Sequence, residues 1–239
     1  MSVDYTPKDR YNIEDLIEIM KILRAPGGCP WDAEQNHESI KKNFIEETYE
    51  VIEAINKNDT ELLIEELGDV LMQVVFHTVM EEEKGIFNFG DVTDGVCKKL
   101  IVRHPHVFAD VKVDSTDEVL TNWDGIKRQT KSQKSTSEAM ASVPRELPAL
   151  MRSEKLQSKA SKNGADTPDA LSYVQAKTDA LGEGVTKEGI GKLLFAAVAL
   201  ARKNGIDPED ALTCVSDVFL AEFGRLENGE EDALKSMYN

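Results

Sequence analysis

The sequence is short of cysteine, of positive charge and of any long apolar run. Its three cysteines, Cys29, Cys97 and Cys214, lie far apart and make no Cys-x-x-Cys pair, which fits free thiols in a reducing cytoplasm. No apolar stretch approaches the length that crosses a bilayer. Met1-Ser2-Val3-Asp4-Tyr5 also lacks the basic-then-apolar pattern of a secretion signal, so no membrane partner and a cytoplasmic location are expected. No period-two run rich in β-branched residues occurs, and strands are therefore expected to be scarce. The absence of Gly-x-x-x-x-Gly-Lys-Ser/Thr and of Gly-x-Gly-x-x-Gly excludes a phosphate loop and a dinucleotide domain. Against 28 Lys and Arg stand 44 Asp and Glu, a net charge of −16 over 239 residues. Such a surface repels nucleic-acid backbones and argues against a polymer of nucleotides as partner.

The acids are unevenly placed. Residues 1–120 hold 26 acidic and 12 basic side chains, whereas residues 121–239 hold 18 and 16. Most acids read as solvated helix faces. The hydrophobic content of 41% is enough for an ordinary core, and its spacing is helical. Ile13, Leu16, Ile17, Met20 and Leu23 predict a first amphipathic helix ended by Pro26-Gly27-Gly28. A second covers about 40–55, and Asn56 to Thr60 is a turn with Asp59 or Thr60 as N-cap of a third, about 61–83. A fourth starts near Phe89 and ends before Pro105. Four helices with short connections predict an all-α bundle or a helical dimer. The polar, basic stretch within 126–146 reads as a linker between a module at 1–125 and a second at 147–239.

Two acidic pairs stand out, Glu47-x-x-Glu50 and Glu66-x-x-Asp69, on consecutive predicted helices. A step of three puts both members of a pair on one helix face. If the helices pack antiparallel, four carboxylates share one seam, and carboxylates cannot all stay ionised in a poorly solvated place without a cation among them. All-oxygen ligation suits Mg²⁺ or Mn²⁺ rather than zinc or copper. The competing reading is a solvated surface, as acidic pairs alone usually are, but these pairs sit among Ile45, Val51, Leu67, Val70 and Leu71. Gly68, within the helix, would let a ligand or a partner helix approach closely. A di-iron bundle would need two Glu-x-x-His pairs, and the chain has one, Glu34–His37; His77, His104 and His106 have no glutamate three positions earlier.

Other residues carry weaker signals. Lys99 and Arg103, four apart, could aim two cations at a phosphate chain or form a helix-end charge pair. His104 and His106 either touch phosphate or close the helix end. Trp31 either stacks on a base or covers the end of the bundle, with Asp32 beside it as an N-cap. Lys41 and Lys42 are phosphate contacts or solvated side chains.

The second half reads as a worn copy of the first. Leu67 to Val75 aligns with Ile190 to Val198, so that Glu66 falls on Gly189 and Asp69 on Lys192; Glu47 and Glu50 fall on Lys177 and Ala180. Lys99 and Arg103 match Val218 and Glu222. Apolar positions persist where the acids and cations do not.

At Cys29-Pro30-Trp31-Asp32 with Glu34-Gln35, Glu46-Glu47-Thr48-Tyr49-Glu50, Glu65-Glu66-Leu67-Gly68-Asp69 and Arg103 to Asp110, the chain resembles the MazG family of nucleoside triphosphate pyrophosphohydrolases. Val143-Pro144-Arg145 and Leu147-Pro148-Ala149-Leu150 extend the likeness to nearly the whole chain. The resemblance implies tandem all-α modules assembled as a homodimer, and Mg²⁺-dependent cleavage of a nucleoside triphosphate to monophosphate and pyrophosphate. It implies Glu47, Glu50, Glu66 and Asp69 as metal ligands, and Lys99 and Arg103 follow as phosphate contacts from their spacing. Water made more acidic by the ion would attack the α-phosphorus, with Glu46 a candidate base beside the ligands. The decayed second copy departs from members that keep acids in both, so activity is expected from the first module. Two rivals stand beside this reading: a non-catalytic helical dimerisation or regulatory protein, and a narrow relative acting on one deoxynucleotide or on phosphoribosyl-ATP.

Overall fold

Asparagine and aspartate begin most of the long helices, as the small polar residues before each apolar run foretell. A computed structural model of the chain describes residues 5–116, 118, 119, 122, 123, 125, 126, 135–167, 169–230 and 232–234. Helix α1 (Ile13–Arg24) is capped by Asn12, whose side chain accepts from the Asp15 amide while Asp15 reaches back to the Asn12 amide. Short α2 (Pro30–Glu34) follows, with Cys29 at its N-cap and Pro30 in its first turn. Asp32 therefore lies inside the first turn instead of capping it, because proline, lacking an N–H, takes the entry position. Helix α3 (His37–Lys57) is capped by Asn36, and α4 (Thr60–Glu82) by Asp59, which accepts from the amides of Glu61 and Leu62. Asn58, in the left-handed region at φ 53°, closes α3. Two residues thus reverse the chain, and α3 and α4 lie side by side as an antiparallel hairpin. Gly85, at φ +68°, follows the end of α4. Helices α5 (Phe89–Arg103) and α6 (Pro105–Phe108) complete this half. The fold is all-α, with no strand among the described residues.

Chain contacts divide the molecule at residue 120 into two units, five residues before the boundary expected from composition. In the first, α4 packs against α1, α3 and α5. Met20, Ile40, Val75, Phe76, Val79 and Met80 form its core, flanked by Ile13, Leu16, Ile17, Met72 and Phe89. Each side chain of this size contributes about 1.5–3 kcal/mol when fully buried. Arg24 ties α1 and α2 to the end of α4: its guanidinium pairs with both carboxylate oxygens of Glu83 at 2.7 and 2.9 Å and donates to the carbonyls of Asp32 and Gln35. The α1–α2 loop needs glycine at 28, where a Cβ would fall 2.2 Å from the Ile22 carbonyl oxygen.

In the second unit, α7 (Thr136–Ala141), α8 (Ala149–Ser161), α9 (Ala170–Asp179), α10 (Lys187–Lys203) and α11 (Pro208–Glu227) follow, with a 3-10 turn at Ala180–Glu183. Here α10 packs against α8, α9 and α11. Of the expected linker, residues 127–134 lie outside the described residues. Its C-terminal part holds α7, and Ala139 and Val143 are buried there. No helix among the described residues is long and apolar enough to cross a membrane.

Candidate metal centre

The antiparallel α3–α4 hairpin decides which side chains meet. Glu47 and Glu50 lie in the second half of α3 and Glu66 and Asp69 in the first half of α4, so the tight turn brings the two pairs abreast. Single carboxylate oxygens from Glu47, Glu66 and Asp69 lie within 4.8 Å of one another. Glu50, exposed one turn along α3 from Glu47, adds its negative charge to that of both Glu47 and Glu66. Glu66 is buried, with 9% of its surface exposed, and Glu47 and Asp69 are half-buried.

The electrostatics mark the cluster as short of positive charge. Burial, then Asp69 and Glu50, push the Glu47 carboxyl above the usual carboxylate range. Burial, then Glu50, Asp69 and Glu65, do the same to Glu66. Elsewhere on these helices carboxylates find partners: Glu53 pairs with Lys57, Glu81 with Lys84, Glu82 with Lys21 and Glu83 with Arg24. None of the four seam acids is ion-paired among the described residues. Three convergent oxygens, a fourth acid nearby and no protein cation paired with them among the described residues fit a hard divalent ion. The donor set contains no histidine or thiol, which is poor chemistry for zinc or copper.

The other sequence candidates are placed less closely. Lys42 and Lys99 are exposed, and no hydrogen bond or ion pair ties them to the seam. Lys41 pairs with Glu38. Arg103 is half-buried at the end of α5. His104 gives its Nδ1 to the Leu100 carbonyl at 2.7 Å, so that ring atom closes the helix end; its ring also lies 5.7 Å from that of His106. Trp31 is 56% exposed, which takes it out of the core. Among the described residues, a Cβ at Gly68 would meet no atom within 4 Å.

Two features escaped sequence reasoning. Asp69, Gln73, His77 and Glu81 recur at four-residue steps and form a polar stripe along α4. At its far end His37 Nδ1 meets His77 Nδ1 at 2.7 Å, and His37 Nε2 meets Glu81 at 2.5 Å. The two imidazoles stack at 5.0 Å. The other feature is Gln73, buried on α4 one turn beyond Asp69 with its Oε1 unpartnered. A four-residue polar period inside an apolar helix was the available signal for both.

Residues 35–108, which include the whole α3–α4 hairpin, match the model of the MazG nucleotide pyrophosphohydrolase domain. The chain is 40% identical over 229 residues to a nucleoside triphosphate pyrophosphohydrolase of Escherichia coli, covering 90% of this chain and 87% of that one. It is 39% identical over 221 residues to the nucleoside triphosphate pyrophosphohydrolase/pyrophosphatase MazG of Thermotoga maritima, covering 90% and 85%. It is also 44% identical over 222 residues to the uncharacterized protein YabN of Bacillus subtilis, covering 87% of this chain but only 45% of that relative.

Proposed function

The chain belongs to the MazG family, and we propose that it hydrolyses a nucleoside triphosphate or deoxynucleoside triphosphate to the monophosphate and pyrophosphate, by attack of water at the α-phosphorus. The observation that carries this reading is the seam of carboxylates with no ion-paired cation among the described residues, on the segment that matches the family model. Names of relatives that align over most of both chains support it. Glu47, Glu50, Glu66 and Asp69 would hold the ion, Mg²⁺ by preference and Mn²⁺ in its place. Bound there, a divalent ion supplies Lewis acidity and neutralises phosphate charge. The chain's own part is to hold four acids ready, two of them against the cost of burial. Lys99 and Arg103 on α5, with Lys42, Trp31 and His104 at the rim, are the candidates for phosphate and base contacts. Half-burial leaves Arg103 the most ordered of the cations.

The reading extends to the whole chain. The second unit repeats the packing of a central helix on three others, here α10, and is a second module that has lost its acids and keeps a structural role. The protein is a homodimer. Ile45, Tyr49 and Ile52 on α3 and Ile64, Leu67 and Leu71 on α4 form exposed apolar stripes at helical spacing, which a second copy would cover. Three free cysteines suit a cytoplasmic setting.

The test is pyrophosphate release by the purified protein from each common ribo- and deoxyribonucleoside triphosphate, with Mg²⁺ and with chelator. Release confined to Mg²⁺-containing reactions is expected. A single active substrate would mark a narrow relative, and no release from any nucleotide would reject the enzyme in favour of a non-catalytic helical module.

A further inference from the structure

Two turns beyond Asp69, α4 carries a second polar cluster, which the metal seam does not use. His37, the first residue of α3, reaches across to α4 with both ring nitrogens. Its Nδ1 lies 2.7 Å from His77 Nδ1, and its Nε2 lies 2.5 Å from Glu81 Oε1. The ring centres are 5.0 Å apart in planes within 9° of parallel, and the two Nδ1 atoms lie between them, so each nitrogen faces the other. Phe44 tilts against the His77 ring, and Lys84 pairs with Glu81 at 2.6 Å. Charged neighbours on the packed helices are engaged elsewhere. Lys21 and Arg24 of α1 hold Glu82 and Glu83, Glu38 and Lys41 of α3 hold each other, and so do Asp94 and Lys98 of α5.

An N···N contact of this length is a hydrogen bond only when it contains one proton, since an imidazole nitrogen is either a donor or an acceptor. Glu81, an ionised acceptor, takes the Nε2 proton of His37. With both rings neutral, His77 Nδ1–H donates to the bare Nδ1 of His37. One further proton can be accommodated. His37 then becomes an imidazolium beside Glu81 and donates from both nitrogens, while His77 accepts at Nδ1 and keeps its proton on Nε2. A second further proton cannot, because two N–H groups on two cationic rings would face each other. Burial, then the charge of His37, hold His77 below the usual histidine range, in keeping with that limit.

We propose that His37 and His77 form an acid-released latch: one proton shared between their Nδ1 atoms holds the first turn of α3 to α4, and protonation of both rings releases it. The released state binds more protons than the closed one. The latch is therefore shut above about 6.5, the ordinary histidine value, and opens as pH falls below it. Ile40, 1% exposed in the core, anchors α3 one turn in, so release is confined to the turn that begins at His37. In that turn Ser39 donates to the Gln35 side chain, which donates in turn to the Trp31 carbonyl. The latch thus bears on the segment that carries Trp31.

The experiment follows the imidazole nitrogens of the ¹⁵N-labelled full chain by NMR between pH 8 and pH 5, in chelator so that no metal bridges the rings. At pH 7.5 a nitrogen–nitrogen coupling across the hydrogen bond should join the two Nδ1 atoms. On acidification the coupling should vanish, and the amides of residues 37–40 should lose protection from exchange at the same pH. Glu81→Gln keeps an acceptor oxygen but removes the anion that balances a protonated ring, so its release should move to lower pH. His77→Phe should show neither the coupling nor a pH-dependent step in protection; if it does not fold, the direction of the Glu81→Gln shift decides. No coupling at pH 7.5, or two rings that titrate independently at about 6.5, would overturn the shared proton. Loss of the coupling with unchanged amide protection would overturn the latch, as would a step that persists in His77→Phe or moves to higher pH in Glu81→Gln.

Discussion

Replacing Asp69 with asparagine should make the metal-free protein more stable and the metal-loaded protein inactive. The substitution keeps the shape and removes one charge. The oxygen atoms of Asp69, Glu47 and Glu66 lie within 4.8 Å of one another. At that separation a pair of like unit charges repels by about 1 kcal/mol in the dielectric of water and about 3.5 kcal/mol at an effective value of 20. Asp69 and Glu47 are half-open to solvent, so the lower part of that range applies, about 1–2 kcal/mol for the pair. In a unit of this size the relief should raise the melting temperature of the chelated protein by roughly 3–8 °C. With Mg²⁺ the order reverses. A ligand at ten times its dissociation constant stabilises by about 1.4 kcal/mol, and the asparagine variant should lose most of that gain. Scanning calorimetry of both proteins in chelator and in a Mg²⁺ series reads the two effects separately. A D69N protein that melts below wild type in chelator and still gains stability from Mg²⁺ would show that the seam is not held apart by its own charge.

Two further predictions concern other parts of the first unit. Burial, then His37, hold the His77 imidazole below the usual histidine range. The unfolded chain therefore takes up more protons between that lowered value and about 6.5, so this contribution to stability is present above 6.5 and fades as pH falls through the lowered native pKa. Urea midpoints of wild type and H77Q at pH 7.5, 6.5 and 5.5 should converge as pH drops; parallel curves would refute the assignment. Ile64→Glu, on the exposed apolar stripe of α4 that the proposed dimer would cover, should yield a monomer by light scattering with its helicity kept, and an unchanged dimer would remove that stripe from the interface.

The long helices were legible because each rule pointed the same way. Asn12, Asn36, Asp59 and Asn88 cap where an apolar period begins, and Gly85 follows α4 where the period stops. The four acids were legible because charge at three-residue spacing in an apolar setting is locally costly. What stayed hidden was relational. His37 and His77 are 40 residues apart in the chain, and only the register of the α3–α4 hairpin makes them partners. A search for Glu-x-x-His looks along one helix and cannot find a pair formed across two. Gln73 was hidden for another reason: an uncharged side chain in an apolar run carries no charge signal, and its burial appears only once the helices pack. The Trp31 alternatives of stacking and end-covering needed its exposure to narrow them.

Helix α4 carries the buried apolar contacts of the first unit at one end and the proposed metal seam at the other. From Gln73 onward it is buried at Val75, Phe76, Thr78, Val79 and Met80, against α1 and the first turns of α3. Before Gln73, Glu66 is its one buried residue, and Leu67 is 51% exposed. The charge repulsion of the seam thus falls on the end with the least apolar burial. Segments with few buried apolar contacts open at lower free energy than the core. Amide hydrogen exchange should therefore be fast over 60–71 and slow over 74–82 in the metal-free protein, although one continuous helix spans both. Mg²⁺ should slow the first segment far more than the second, because the ion removes the repulsion there and leaves the core unchanged. Equal protection along α4 without metal would mean that the seam end is stabilised by something other than a cation, and the division of labour along this helix would fail.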